Sequence, residues 1–154
     1  MQKTQIRRGC FETNSSSSHS LTISNSGRCY ADLPIIKEFY DEKTETYWAN
    51  CVVLTGGEYG WGVEHYTDSW EKANYLATHL LCYRQDDERQ KEMFESVIKS
   101  ETGADNIFYD FTESQAYIDH QSVGDADEAF ESVDSLKNFL FNRASILIID
   151  NDNH

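Results

Sequence analysis

Residues 7 to 20 read Arg-Arg-Gly-Cys-Phe-Glu-Thr-Asn-Ser-Ser-Ser-Ser-His-Ser, placing two guanidinium groups, six hydroxyls, one amide and one imidazole within fourteen residues. These are the groups that hold phosphate oxygens. Arginine offers paired donors in a planar fork, hydroxyls rotate to suit, and turn backbones present N–H groups. His19 adds a donor or a general acid–base group. The same residues also build Asx- and Ser-turns that satisfy their own backbone. A packed core needs apolar periodicity instead, and a plain linker needs Gly and Ser without Arg, Phe and His. The stretch therefore reads as a pocket wall for an anion, with Arg8, Asn14, Ser15, Ser16 and His19 as its contact groups.

Charge points to the same segment. Residues 1–29 hold Lys3, Arg7, Arg8 and Arg28 against Glu12, a net of +3 in a chain of net −14, so residues 30–154 carry −17. The acidic body repels nucleic acid backbones and anionic membranes, so direct nucleic-acid binding and membrane association are not expected. Acid clusters at Asp41-Glu42, Asp86-Asp87-Glu88 and Asp125-Ala126-Asp127-Glu128 admit two readings, ordinary solubility or imitation of a phosphate backbone.

A second group of candidates lies in Gly56–Tyr66, where four glycines accompany Tyr59, Trp61 and Tyr66. Glycine allows close approach, and aromatic rings stack on bases or pack as core. Tyr59 and Trp61 are the expected ligand covers. A third candidate is His120 in Asp119-His120-Gln121-Ser122. On a strand it shares a face with Ser122, and His65-Tyr66-Thr67 repeats the spacing. Paired His-x-Ser/Thr motifs resemble those of 2H phosphoesterases, although the apolar flanks of that superfamily are missing. Should the chain be an enzyme, His19 and His120 are its candidate acid and base, with His65 as a substitute.

Other chemistries lack their residues. No Gly-Lys-Ser/Thr follows the glycines, and Gly60-Trp61-Gly62 lacks the third glycine of a dinucleotide fingerprint. Cys10, Cys29, Cys51 and Cys82 form no C-x-x-C pair, and no two histidines sit one helical turn apart, so neither a metal nor a cofactor is expected. His79, beside Leu80, reads as a core or boundary residue. The N-terminus lacks the apolar stretch of a signal peptide, which implies a cytoplasmic chain with free thiols.

The elements that must position these groups are legible in outline. A length of 154 residues suits one domain. Ser20–Ser24 alternates as a half-buried strand does, and Cys51–Thr55 and Ser145–Asp150 read as buried strands. Ile35, Ile36, Phe39 and Tyr40 fit a short amphipathic helix, although 35–48 as a whole is ambiguous. Thr67 or Asp68 caps a helix to about Tyr83, and a second helix runs from about Asp87 to Ser100, near Gly103. Ile107–Phe111 and Gln115–His120 read as strands, 124–131 as an exposed acidic stretch, and Ser132 or Asp134 as the start of a short helix. The expected fold is α+β: one domain over 1–154, with an antiparallel or mixed sheet and an αα-hairpin packed on one face. Its parts are the polar motif at 1–20, the hairpin at 67–101 and a core strand at 145–150.

The motif Arg8-Gly9-x-Phe11-Glu12-Thr13-Asn14-Ser15-Ser16-Ser17-x-His19-Ser20 resembles the N-terminus of a family of uncharacterised phage and prophage proteins. Gly57–Trp61, Lys72-Ala73-x-Tyr75-Leu76, Tyr117–Ser122 and the spaced set Phe139-Leu140-Phe141, Ser145 and Asn151-Asp152-Asn153 resemble further segments of that family. The resemblance implies a phage accessory protein acting in the cytoplasm of its host. The expected function is to counteract the host by binding a phosphorylated or nucleotide-like ligand, with sequestration of an immune signal as its purpose. The alternatives are a phosphodiesterase or other nucleotide-processing enzyme, and an acidic inhibitor of a host nucleic-acid-binding protein. The partner is thus a small phosphorylated ligand or a host protein, with self-association an open option.

Overall fold

The computed structural model describes residues 17–60, 62–111, 117–118 and 126–151. Arg8, Asn14, Ser15, Ser16, Trp61 and His120 lie outside them. In chain order the described elements are β1 (Ser17–Thr22), β2 (Ile36–Asp41), β3 (Thr46–Leu54), β4 (Glu58–Tyr59), β5 (Glu64–Tyr66), α1 (Ser69–Tyr83), α2 (Glu88–Thr102), β6 (Asn106–Tyr109), β7 (Tyr117–Ile118), α3 (Val133–Phe141) and β8 (Ile146–Asn151).

The strands form three small sheets. The most apolar strand, β8, lies at the centre of an antiparallel sheet ordered β1-β8-β5, and its Leu147 and Ile149 are fully buried. Strand β3 is the middle of β2-β3-β6, antiparallel to β2 and parallel to β6. Its Cys51, Val52 and Leu54 enter the core. Strands β4 and β7 form a short parallel pair. Helix α1 packs against β3, β7 and α3, while α2 packs against β6 and α3. The fold is α+β, a single domain carrying the consecutive helix pair and a mixed sheet, as its sequence implies.

Local chemistry sets the helix ends. Asp68 accepts the Glu71 N–H at 2.8 Å, Asp87 the Gln90 N–H at 3.0 Å, and Ser132 the Ser135 N–H at 3.0 Å. Each side chain satisfies a donor that has no partner within its helix. Gly103 closes α2 at φ 80°, a left-handed cap that disfavours other residues, and donates its N–H to the Lys99 carbonyl.

Two expectations are corrected. Residues 36–41 form a strand rather than a helix, paired with β3 through a tight turn. Asp41 builds that turn by accepting the Lys43 N–H and the Thr44 hydroxyl, and Glu45 follows at φ 54°. Cross-strand partners Phe39–Trp48 and Tyr40–Tyr47 then satisfy the aromatic positions that had suggested a helical face. The acidic stretch at 126–131 is not an exposed run either. Ala126, Ala129 and Phe130 are buried, and Asp127 is half-buried against Arg84 and Gln90.

Candidate functional site

Helix α1 organises the region around the sequence candidates. Every residue from 72 to 80 is buried, polar ones included. Its Tyr75 reaches β1, where the Tyr75 hydroxyl lies 3.0 Å from His19 Nδ1. The two rings are tilted, with centroids 5.8 Å apart. His19 is only 3 % exposed. The described end of the polar motif is therefore part of the core and not a free arm.

Tyr75 also meets Tyr59 edge-on at 5.2 Å, and Tyr59 meets Tyr66 edge-on at 6.0 Å. These are favourable quadrupole geometries. The Tyr59 hydroxyl donates to Glu71 Oε1 at 3.3 Å, and the Tyr66 hydroxyl donates to Glu64. Burial pushes the Tyr59 hydroxyl far above its usual range, and the Glu71 charge adds to this; burial and the Glu64 bond act likewise on Tyr66. Burial also raises Glu71, with Asp68 contributing and the Tyr59 bond opposing. The phenols thus stay neutral and serve as donors to carboxylates, not as nucleophiles. At 2 % exposure Tyr59 presents no face to a stacked ring. It is core, and the close approach allowed by glycine is to Tyr59 itself: a Cβ on Gly57 would lie 2.8 Å from its hydroxyl oxygen.

The glycine loop is stapled to α1. Asn74 Oδ1 accepts the Thr55 and Gly56 N–H groups, both at 2.8 Å, and Thr78 Oγ1 accepts the Gly57 N–H at 3.2 Å. Gly57 in turn accepts the Tyr117 N–H at 2.8 Å. The parallel register Glu58↔Tyr117 and Tyr59↔Ile118 brings β4 and β7 to their ends together. Trp61 and His120 each follow, two positions later in sequence, from Tyr59 and Ile118. Among the described residues, then, β1 with His19, β4 with Tyr59, and β7 meet around one helix. His65 lies on β5 with its side chain exposed, outside this cluster of buried rings.

Three further groups complete the surroundings of α1, and one of them, His79, is fully buried, as its reading as a core or boundary residue expects. Lys72 is buried, and its Nζ donates to the Asn142 and Ser145 carbonyls at 3.1 and 3.0 Å and lies 5.6 Å from the Phe139 ring centre. Burial lowers its pKa to about 8, against the attraction of Asp68 and Asp32. With two hydrogen bonds from Nζ, Lys72 closes the C-terminal end of α3, where carbonyls lack helical partners. His79 Nε2 stands 3.1 Å from Gln90 Oε1 and from Asp127 Oδ1, both acceptors, so the proton sits on Nε2. Its Nδ1 has no hydrogen-bond partner among the described residues, and burial lowers its pKa. Burial acts to raise the Asp127 carboxyl, but the paired Arg84 donors at 2.8 and 3.2 Å, with Gln90, hold it below its usual range. Only non-local pairing reveals the partners of these groups, which lie between 11 and 73 residues away.

An open hollow of about 420 Å³ lies at the α1–α2 turn, lined by residues 83–88, which include the acid cluster Asp86-Asp87-Glu88 but none of the candidate ligand-binding residues. Among the described residues no three His, Cys, Asp or Glu side chains are grouped to hold a metal ion, and no helix is long and apolar enough to cross a membrane. No protein-family model, curated protein or solved structure matches the chain.

Proposed function

We propose that this chain is a phage accessory protein that counteracts its host, in the host cytoplasm, by binding and sequestering a phosphorylated or nucleotide-like signal. Arg8, Asn14, Ser15 and Ser16 supply the anion contacts, and His19 anchors that segment to the fold. Trp61 and His120 flank the ligand. The observation that supports the reading is the meeting of β1, β4 and β7 around Tyr75 and Tyr59. It starts all three candidate segments from one region of the protein, and the cationic segment is the one part of an acidic chain suited to a phosphate.

Calorimetric titration with inorganic phosphate, AMP and a cyclic dinucleotide tests the reading. The expected result is binding of at least one nucleotide, weakened at least about tenfold by Arg8→Ala and by Asn14→Ala. The thermal midpoint stays unchanged in both variants, and heat denaturation releases the nucleotide chemically intact. Absence of binding by every probe, or undiminished binding by both variants, refutes the proposal. Recovery of an altered nucleotide replaces sequestration with catalysis.

A further inference from the structure

Strand β2 is an outer strand of its sheet, so one of its backbone edges is unpaired among the described residues. Such edges are usually blunted or covered, because their free N–H and C=O groups accept another strand. Here the edge is decorated with aromatic groups. Tyr40 is 44 % exposed and its cross-strand partner Tyr47 is 65 % exposed, with ring centroids 4.9 Å apart. Ile36 and Trp48 are also substantially exposed. Alternation puts Ile36, Glu38 and Tyr40 on one face of the strand.

Charge decides what can cover this surface. Between residues 36 and 50, Glu38, Asp41, Glu42 and Glu45 outnumber Lys37 and Lys43. A second copy would bring the same negative hairpin and a further −14 of charge, and a nucleic acid would be repelled outright. Carboxylates beside exposed tyrosines suit a guanidinium or ammonium group, which pairs with the acid while lying over the ring. We propose that the β2–β3 hairpin docks a cationic protein segment, an extended Lys/Arg-bearing strand that adds to the β2 edge and places its cations against Tyr40, Tyr47 and Glu38. Main-chain bonds at the edge supply affinity, and the alternating side chains supply selectivity. This surface uses none of the residues proposed for ligand binding, and neither proposal depends on the other.

The probe is a synthetic octapeptide of alternating Arg and Val, with an alternating Glu–Val peptide as control, titrated into the full chain at low and at physiological salt. The Arg–Val peptide is expected to bind, more weakly at higher salt, and the Glu–Val peptide is not. Tyr47→Ser and Glu38→Lys are each expected to weaken binding by about tenfold. Both positions are exposed, so the thermal midpoint should hold; should Tyr47→Ser shift it, Glu38→Lys carries the test alone. The proposal is overturned if the Arg–Val peptide fails to bind, if Glu38→Lys binds it as tightly as the wild type, or if the control binds equally well. It is also overturned if the peptide-free chain dimerises and Tyr47→Ser abolishes the dimer, since a second copy would then be the occupant.

Discussion

Replacing His19 by Ala separates two roles that the sequence leaves superimposed. A side chain lining an open pocket wall can be truncated with little loss of stability. A side chain at 3 % exposure, bonded to a buried tyrosine, cannot. Losing the Tyr75 bond costs about 1 kcal/mol. The void left by the imidazole adds about 2 kcal/mol, at the low end for large-to-small core changes because a ring at a sheet edge leaves room for partial collapse. The expected loss is about 3 kcal/mol, a fall in thermal midpoint of about 6–12 °C for a chain of this size. Calorimetry and urea denaturation of His19→Ala, Tyr75→Phe and the double variant form the assay. The cycle should return a coupling of about 1 kcal/mol for the His19–Tyr75 pair. A His19→Ala midpoint within about 1 °C of wild type, together with zero coupling, refutes the argument. The imidazole would then be solvent-accessible.

Two further outcomes follow from the packing around α1. Gly57→Ala places a methyl group 2.8 Å from the Tyr59 hydroxyl oxygen and 3.0 Å from its ring carbons, so it should cost about 2 kcal/mol in denaturant unfolding; an unchanged midpoint would mean that the ring gives way freely. Lys72 has a folded pKa of about 8 against an ordinary 10.5, so between these values the unfolded chain binds more protons at this site and stability rises with pH. Relative to Lys72→Met, the wild type should therefore gain about 1.4 kcal/mol per pH unit across that window, and parallel stability–pH curves would refute the burial of its charge.

What the sequence disclosed was mostly local. Asp68, Asp87, Ser132 and Gly103 mark helix ends because a cap acts on donors or acceptors within a few residues. The cores of β3 and β8 are readable from short apolar runs. The β2–β3 hairpin was misread because its turn uses Asp41 and Thr44 in place of the Gly or Asn-Gly that usually signals one, while Ile35, Ile36, Phe39 and Tyr40 happen to fall at helical spacing. The polar residues of α1 were illegible for another reason. Lys72, Asn74 and Thr78 look like a solvent face until α3 and the 55–57 loop are folded over them. Tyr59 and His19 were both singled out and the structure brings them together, but through Tyr75, whose role depends on a partner 56 residues distant.

A helix enclosed on all sides is ordinarily apolar all round, and α1 is not. Its buried polar groups grip four different parts of the fold: Lys72 the end of α3, Asn74 and Thr78 the glycine loop, Tyr75 the strand β1, and His79 the Gln90–Asp127 pair. Such bonds contribute modestly to net stability, but a misplaced partner leaves a buried polar group unsatisfied, so they define which arrangement of elements is allowed. This assigns His19 its task. An imidazole that braces β1 against α1 must stay dry, whereas one that exchanges protons with a bound phosphate must be reachable. At 3 % exposure the brace prevails. The anion recognition proposed above is therefore assigned to the guanidinium, amide and hydroxyl groups that precede His19 in the sequence, and not to the imidazole itself.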